Sequence, residues 1–172
     1  MRTPLILIAF LLLIVPRAAA QPAAGGPDHP ARPRVPEFIF ISMDDSTRVI
    51  TSESLRGRVY LIDFWATWCP PCVEEIPTLT RLHERWHAKG FDIVSLSFDQ
   101  TVARVRGFRE KRHAMPWLHG HVAGGFADAL CAVFGVQNIP HMLLVDRDGT
   151  IITASDDLRG EALERAVDAA MH

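Results

Sequence analysis

Hydrophobic and polar positions follow two periods along this chain, and each period predicts one kind of element. Compact apolar runs at residues 38–41, 59–64, 91–98 and 141–145 read as strands, those at 59–64 and 91–98 as buried ones. Val73, Ile76, Leu79, Leu82 and Trp86 recur every three or four residues and form the stripe of an amphipathic helix ending near Gly90. Val102, Val105 and Phe108 mark a second helix reaching residue 113. Residues 126–134 make a short apolar helix stopped by Gly135, and Leu163, Val167 and Ala170 a last one that Asp156 and Asp157 can cap.

Shorter strands are expected at 48–50, 118–122 and 150–154. Turns fall at Asp44-Asp45-Ser46 and Asp146-Arg147-Asp148-Gly149, and Gly57 ends a single turn of helix. Strands joined through helices pair in parallel, whereas the last two close as an antiparallel hairpin. The pattern predicts an α/β domain, a central mixed β-sheet flanked by helices with an N-terminal β-hairpin extension.

The first 36 residues follow neither period. Arg2, the apolar run at 5–15 and the small residues Ala18 and Ala20 describe an export signal at 1–20, cleaved after Ala20. The run is short for a bilayer span, and retention as an anchor is the rival outcome. Pro22, Pro27, Pro30, Pro33 and Pro36 with Gly25-Gly26 make 21–36 a Pro-rich linker, leaving 37–172 as the folded domain. A periplasmic or secreted location follows, or a membrane-anchored one if the signal stays. The formal charge of −2 becomes more acidic once Arg2 and Arg17 leave, which argues against nucleic acid or an anionic membrane surface as partner. Three cysteines are too few for a disulfide-stapled scaffold and fit one reactive pair plus a bystander.

That pair, Cys69-Pro70-Pro71-Cys72, falls where the strand at 59–64 gives way to the first helix. One helical turn brings both sulfurs within disulfide distance. It also sets Cys69 at a helix N-terminus, where unpaired N–H groups and the helix dipole favour a thiolate. Thiol–disulfide exchange is the chemistry this suggests, with Cys69 facing outward to attack and Cys72, one turn further in, shielded and resolving the mixed disulfide. A structural disulfide and half of a zinc site compete with it, although a second thiolate pair for zinc is missing. Asp63 lies within the strand leading to the pair, where an acid is costly unless useful or solvated.

Leu61-Ile62-Asp63-Phe64-Trp65-Ala66-Thr67-Trp68, running into Cys69-Pro70-Pro71-Cys72, resembles the active-site segment of the thioredoxin superfamily. Leu55-Arg56-Gly57-Arg58, Glu74-Glu75-Ile76-Pro77, Ile139-Pro140-His141 and Val145-Asp146-Arg147-Asp148-Gly149 resemble its exported TlpA-like branch, which includes reductases of cytochrome c assembly. The resemblance implies a thioredoxin-like fold, Cys69 as nucleophile and Cys72 as resolving thiol. It makes Pro140 a cis-proline facing the disulfide, with Ile139 presenting backbone groups to a bound peptide and Trp68 part of the surface beside Cys69. Asp63 would lie beneath Cys72 and move its proton, its pKa raised by burial. Pro70 and Pro71 remove N–H groups near Cys69 and bias the pair toward a reductant. The implied partners are disulfide-bearing exported proteins and a thiol electron donor, a membrane reductase. No nucleotide or flavin motif is present and no cofactor is expected.

Other signals point elsewhere. His83-Glu84-Arg85-Trp86-His87 matches the HExxH zinc-protease pattern, but no third ligand follows at a recognised spacing, and two solvated histidines on an outer helix face are expected. A peroxiredoxin-type thiol peroxidase wants Thr or Ser three residues before the reactive cysteine and Pro seven before it, where Ala66 and Ile62 stand. His119, His121, His141 and the thiols could meet a soft metal such as copper, and a thioredoxin-like binding protein without turnover is a further rival. No metal site is assigned. Cys131, in an apolar helix, is expected to be inert. Arg104, Arg106, Arg109, Lys111 and Arg112 are expected on a solvated face, and His141 at the surface. Neither Asp99 nor Gln100, after the second buried strand, is assigned to the site.

Overall fold

The computed structural model describes residues 32–172; the signal at 1–20 and most of the linker at 21–36 lie outside the described residues. An antiparallel hairpin comes first, β1 (Ile39–Ile41) with β2 (Val49–Thr51). Asp45 shapes its turn by accepting from both the N–H and the hydroxyl of Thr47. There follow β3 (Val59–Trp65), α1 (Pro70–Trp86), β4 (Phe91–Ser97), α2 (Val102–Lys111), β5 (Leu118–His121), α3 (Ala129–Phe134), β6 (His141–Val145), β7 (Ile151–Ser155) and α4 (Gly160–Met171). The main sheet runs β5-β4-β3-β6-β7. β3, β4 and β5 are parallel neighbours, whereas β6 is antiparallel to both β3 and β7. This is the mixed α/β sheet with an N-terminal hairpin that the pattern predicts.

β3 is the central strand and all of its residues are buried. α1 turns Ile76, Leu79, Leu82 and Trp86 into the core, a stripe that contributes about 2 kcal/mol per side chain relative to exposure. Its last turn tightens into a 3-10 turn at His87–Lys89, and Gly90 ends it at φ 98°, a conformation that favours glycine.

The hairpin covers the β5 edge of the sheet. Gly120 lies on β5 where a Cβ would come within 2.6 Å of Phe40 and 2.7 Å of Leu96, so only glycine lets Phe40 pack there. The Met43 N–H donates to the His119 carbonyl at 2.8 Å, pairing part of an otherwise open edge. Arg106 donates to the Met43 carbonyl, and Arg109 pairs with Asp44 at 2.7 Å. The expectation of a simply solvated basic face on α2 is therefore corrected, because these guanidinium groups clamp the hairpin turn.

Contacts at both ends of the described residues tie them to the sheet and to α1. The chain is tied to the domain before Glu37, since the Pro33 carbonyl accepts from the Ile151 N–H and the Val35 N–H donates to the Gly149 carbonyl. Asp156 and Asp157 do not cap α4, which starts after Arg159 with no side-chain cap of its own. Asp156 is drawn instead to His141, and the Gly160 N–H donates to Glu75 Oε1 at 2.9 Å. A buried carboxylate on α1 thus satisfies one of the free N–H groups at the start of α4.

Register decides where chemistry gathers. Trp65 pairs with Ser97 at the end of β4, and Phe64 with His141 at the start of β6. The β3–α1 loop, the residues after β4 and Pro140 before β6 consequently share one end of the sheet.

Candidate active site

Cys69 is the N-cap of α1, and its Sγ accepts from the Cys72 N–H at 3.3 Å. Pro70 and Pro71 occupy the first helical positions, where a missing N–H leaves no intrahelical bond unmade. With both prolines lacking a donor, the Cys72 N–H is the first one α1 can offer to Cys69. The cysteines are joined as a disulfide with Cα atoms 5.3 Å apart. Cys69 is only 4% exposed and Cys72 2%, so in this oxidised form the expected outward-facing Cys69 is not found. Bonded to a sulfur one turn into the helix, Cys69 Sγ is held against the helix end. Trp68, 49% exposed, is what the surface presents beside it.

Asp99 anchors the loop before the cysteines. Its Oδ2 accepts from the Thr67 N–H and from Ser97 Oγ, both at 2.9 Å, and its Oδ1 accepts from the Thr67 hydroxyl at 2.6 Å. Arg104 Nε stands 3.4 Å from the same carboxylate, and His121 Nε2 donates to the Asp99 carbonyl at 2.6 Å. The sequence alone does not assign Asp99 to the site. Its signal was the spacing Ser97-x-Asp99 at the end of a buried strand, which gains meaning only once Ser97 is known to lie beside Trp65.

Asp63 is fully buried in β3. Its Oδ2 accepts from Ser95 Oγ at 2.9 Å, while Oδ1 has no hydrogen-bond partner. Burial raises its pKa to about 7, against the pull of the Ser95 hydrogen bond and with a further push from the charge of Glu75. A carboxyl in that range can both take and release a proton near neutrality.

The Ile139–Pro140 bond is cis, Pro140 is buried and Ile139 half-buried. His141, the next residue, is not the surface histidine expected. Its ring packs 6.1 Å from that of Phe64, Nδ1 lies 2.5 Å from Asp156 Oδ1, and Nε2 is buried without a partner. Asp156 in turn is held below the usual carboxylate range by His141.

Comparison with known proteins agrees with this geometry. The family described as Redoxin matches residues 30–162. The chain belongs to the Redoxin family. Among the relatives of this redoxin, the thiol-disulfide oxidoreductase ResA of Bacillus thuringiensis (strain Al Hakam) is 29% identical over 113 residues, covering 66% of this chain and 63% of the relative. The thiol:disulfide interchange protein DsbE of Pseudomonas aeruginosa is 32% identical over 120 residues, covering 67% of this chain and 61% of the relative. The chain thus spans just under two thirds of the length of these relatives. In fold it matches the thioredoxin domain of a thiol-disulfide oxidoreductase from Bacteroides vulgatus with a TM-score of 0.73, at 22% identity, over 84% of this chain and all of that one. This redoxin is a TlpA-like member of the thioredoxin superfamily.

The histidines of the redoxin domain do not converge on the thiols. His119 is buried, its Nε2 donates to the Met115 carbonyl at 3.0 Å, and burial with nearby Arg109 lowers its pKa to about 4. His121 and His141 are engaged with Asp99 and Asp156 as described. Among the described residues, the metal-type donors that cluster are those of His83, His87 and Asp92, within 4.8 Å of one another. His83 is buried, not solvated as expected, and burial lowers its pKa. Arg58 already brings a cation to this cluster, with Nη2 3.3 Å from His87 Nδ1 and Nε 3.6 Å from Asp92 Oδ2. That guanidinium balances the carboxylate and opposes a metal ion there. Cys131 is buried, its thiol bonds to the Gly125 carbonyl at 3.3 Å, and burial raises its pKa, all of which suit an unreactive sulfur.

Proposed function

We propose that the chain is an exported, periplasmic or secreted, thiol-disulfide oxidoreductase that reduces disulfides in partner proteins. The observation that carries this reading is the Cys69–Cys72 disulfide at the N-terminus of α1, at the end of the sheet that also holds cis-Pro140. The names of the ResA and DsbE relatives support it, as does the export pattern at 1–20.

In the reduced enzyme Cys69 attacks one sulfur of a substrate disulfide. The substrate S–S bond breaks, its other sulfur leaves as a thiolate, and a Cys69–substrate mixed disulfide forms. Cys72 gives its proton to Asp63 and attacks Cys69 Sγ. The second substrate sulfur then leaves, and the enzyme holds the Cys69–Cys72 disulfide. Two electrons have passed to the substrate, and the departing thiolates take up two protons. A thiol donor, in this reading a membrane reductase, returns the electrons. Trp68, Ile139 and Pro140 form the surface on which the substrate peptide lies, and Pro70 and Pro71 bias the pair toward reduction.

Reduction of a test disulfide by single-cysteine variants decides the matter. Cys69→Ala abolishes turnover, whereas Cys72→Ala accumulates a mixed disulfide visible on non-reducing gels. Wild-type turnover in either variant overturns the mechanism.

A further inference from the structure

Ser95 is held from two sides. Its Oγ accepts from Trp117 Nε1 at 2.9 Å and donates to Asp63 Oδ2 at 2.9 Å. Ser95 lies on β4 in register with Asp63 on one side and His119 on the other, and Trp117 immediately precedes β5. Asp63, Ser95 and Trp117 are 2%, 0% and 5% exposed, so no bulk water competes for these bonds. An indole N–H can only donate, whereas a serine hydroxyl can donate or accept. With Trp117 occupying a lone pair of Ser95, the hydroxyl proton is directed to the carboxylate. A hydroxyl without that fixed neighbour is free to turn and accept from a protonated Asp63 instead.

We propose that Trp117 is a positioning residue of the active site: through Ser95 it holds a hydrogen-bond donor on Asp63 and keeps that carboxyl available as a base. The proposal rests on the reading of Asp63 as the base for Cys72. A bond donated to a carboxylate favours its charged form. Burial and the charge of Glu75 on α1 push the other way. From β6, Met142 pairs with Asp63 and brings no charge. The imidazoles against Trp117 are those of His83 and His119, with ring centroids at 5.6 and 6.1 Å, and burial disfavours the charged form of both.

Carbon-13 carboxyl NMR of the full-length oxidised chain follows Asp63 directly, with Asp63→Asn assigning its signal. Trp117→Phe keeps an aromatic ring and removes the donor. In Trp117→Phe the Asp63 midpoint rises by roughly half a unit, and in Ser95→Ala by roughly one unit. The double variant rises no further than Ser95→Ala alone, because both changes cut one line of bonds. The pH profile for resolution of the mixed disulfide by Cys72 moves upward with the NMR midpoint. An unmoved midpoint in a folded Trp117→Phe, or shifts that add in the double variant, overturns the proposal. The base reading fails separately: Asp63→Asn then leaves the resolution rate untouched even where the NMR midpoints move.

Discussion

Asp63 and His119 stand in one row of the sheet, one strand to either side of Ser95, and burial moves their pKa values past each other, so that their usual order is reversed. The acid is raised to about 7 and the imidazole lowered to about 4, in both cases chiefly because burial disfavours the charged form. Their surroundings then separate them. Both keep one buried polar atom without a partner, Asp63 Oδ1 and His119 Nδ1, but Asp63 sits on the strand that feeds the cysteines. His119 sits beneath the hairpin, its Nε2 committed to a backbone carbonyl and its own carbonyl accepting from Met43. Two strands' displacement separates the carboxyl proposed here as a base from an imidazole that serves the packing of the sheet edge.

The strongest way to break this comparison is Asp63→Asn. A carboxyl whose folded pKa lies above its unfolded value stabilises below about pH 4 and loses that contribution as pH rises through 7. The variant is therefore more stable than wild type by about 4 kcal/mol at pH 8 and equal to it near pH 4, while Cys72 resolves mixed disulfides more slowly. Urea unfolding at the two pH values, with a stopped-flow assay of resolution, checks both halves.

His119 has the opposite sign. Its folded pKa is depressed, so the unfolded chain takes up a proton first as pH falls below about 6.5, and stability declines by about 3 kcal/mol on the way to pH 4. In His119→Phe this slope between pH 6.5 and 4 is missing, and exchange activity at pH 7.5 stays near wild type. A parallel loss of activity at that pH would place His119 on the working side.

The hairpin cover is tested by Gly120→Ala, whose methyl meets Phe40 and Leu96. It costs about 2 kcal/mol and lowers the melting temperature without changing turnover well below that temperature. The smallest effect belongs to the loop beside the cysteines. Thr67→Val removes the hydroxyl bond to Asp99, costs about 1 kcal/mol, and slows exchange more than it destabilises, as parallel measurements of rate and melting would show.

How far such features are legible in the sequence depends on whether they are local. The strands and helices, the CxxC at a strand–helix junction and an acid within a buried run are each visible in a few neighbouring residues. Ser95, Asp99 and Glu75 gain their meaning from partners 32 residues away for the first two and 85 for the third. Nothing in a linear pattern states that Ser95 faces Asp63, because that follows from the parallel register of β3 and β4. His83 is an instructive exception. It lies one turn beyond Leu79 and three residues before Trp86, on the shoulder of the apolar stripe, and its burial was readable from that spacing. Polarity of the side chain concealed it. Asp156 misled in the other direction: it has the chemistry of a helix cap, but His141 claims its carboxylate.

The strand order also has a consequence in time. β3 is completed by β6, whose residues are made some 80 positions later. A chain growing from its N-terminus carries Cys69, Cys72 and Cys131 before residue 140 exists. At that stage the edge of β3 that β6 will cover is open. Only the arrival of β6 covers that edge and brings Pro140 to the end of the sheet that carries the cysteines, so the site is assembled from segments that meet late and far apart in the chain.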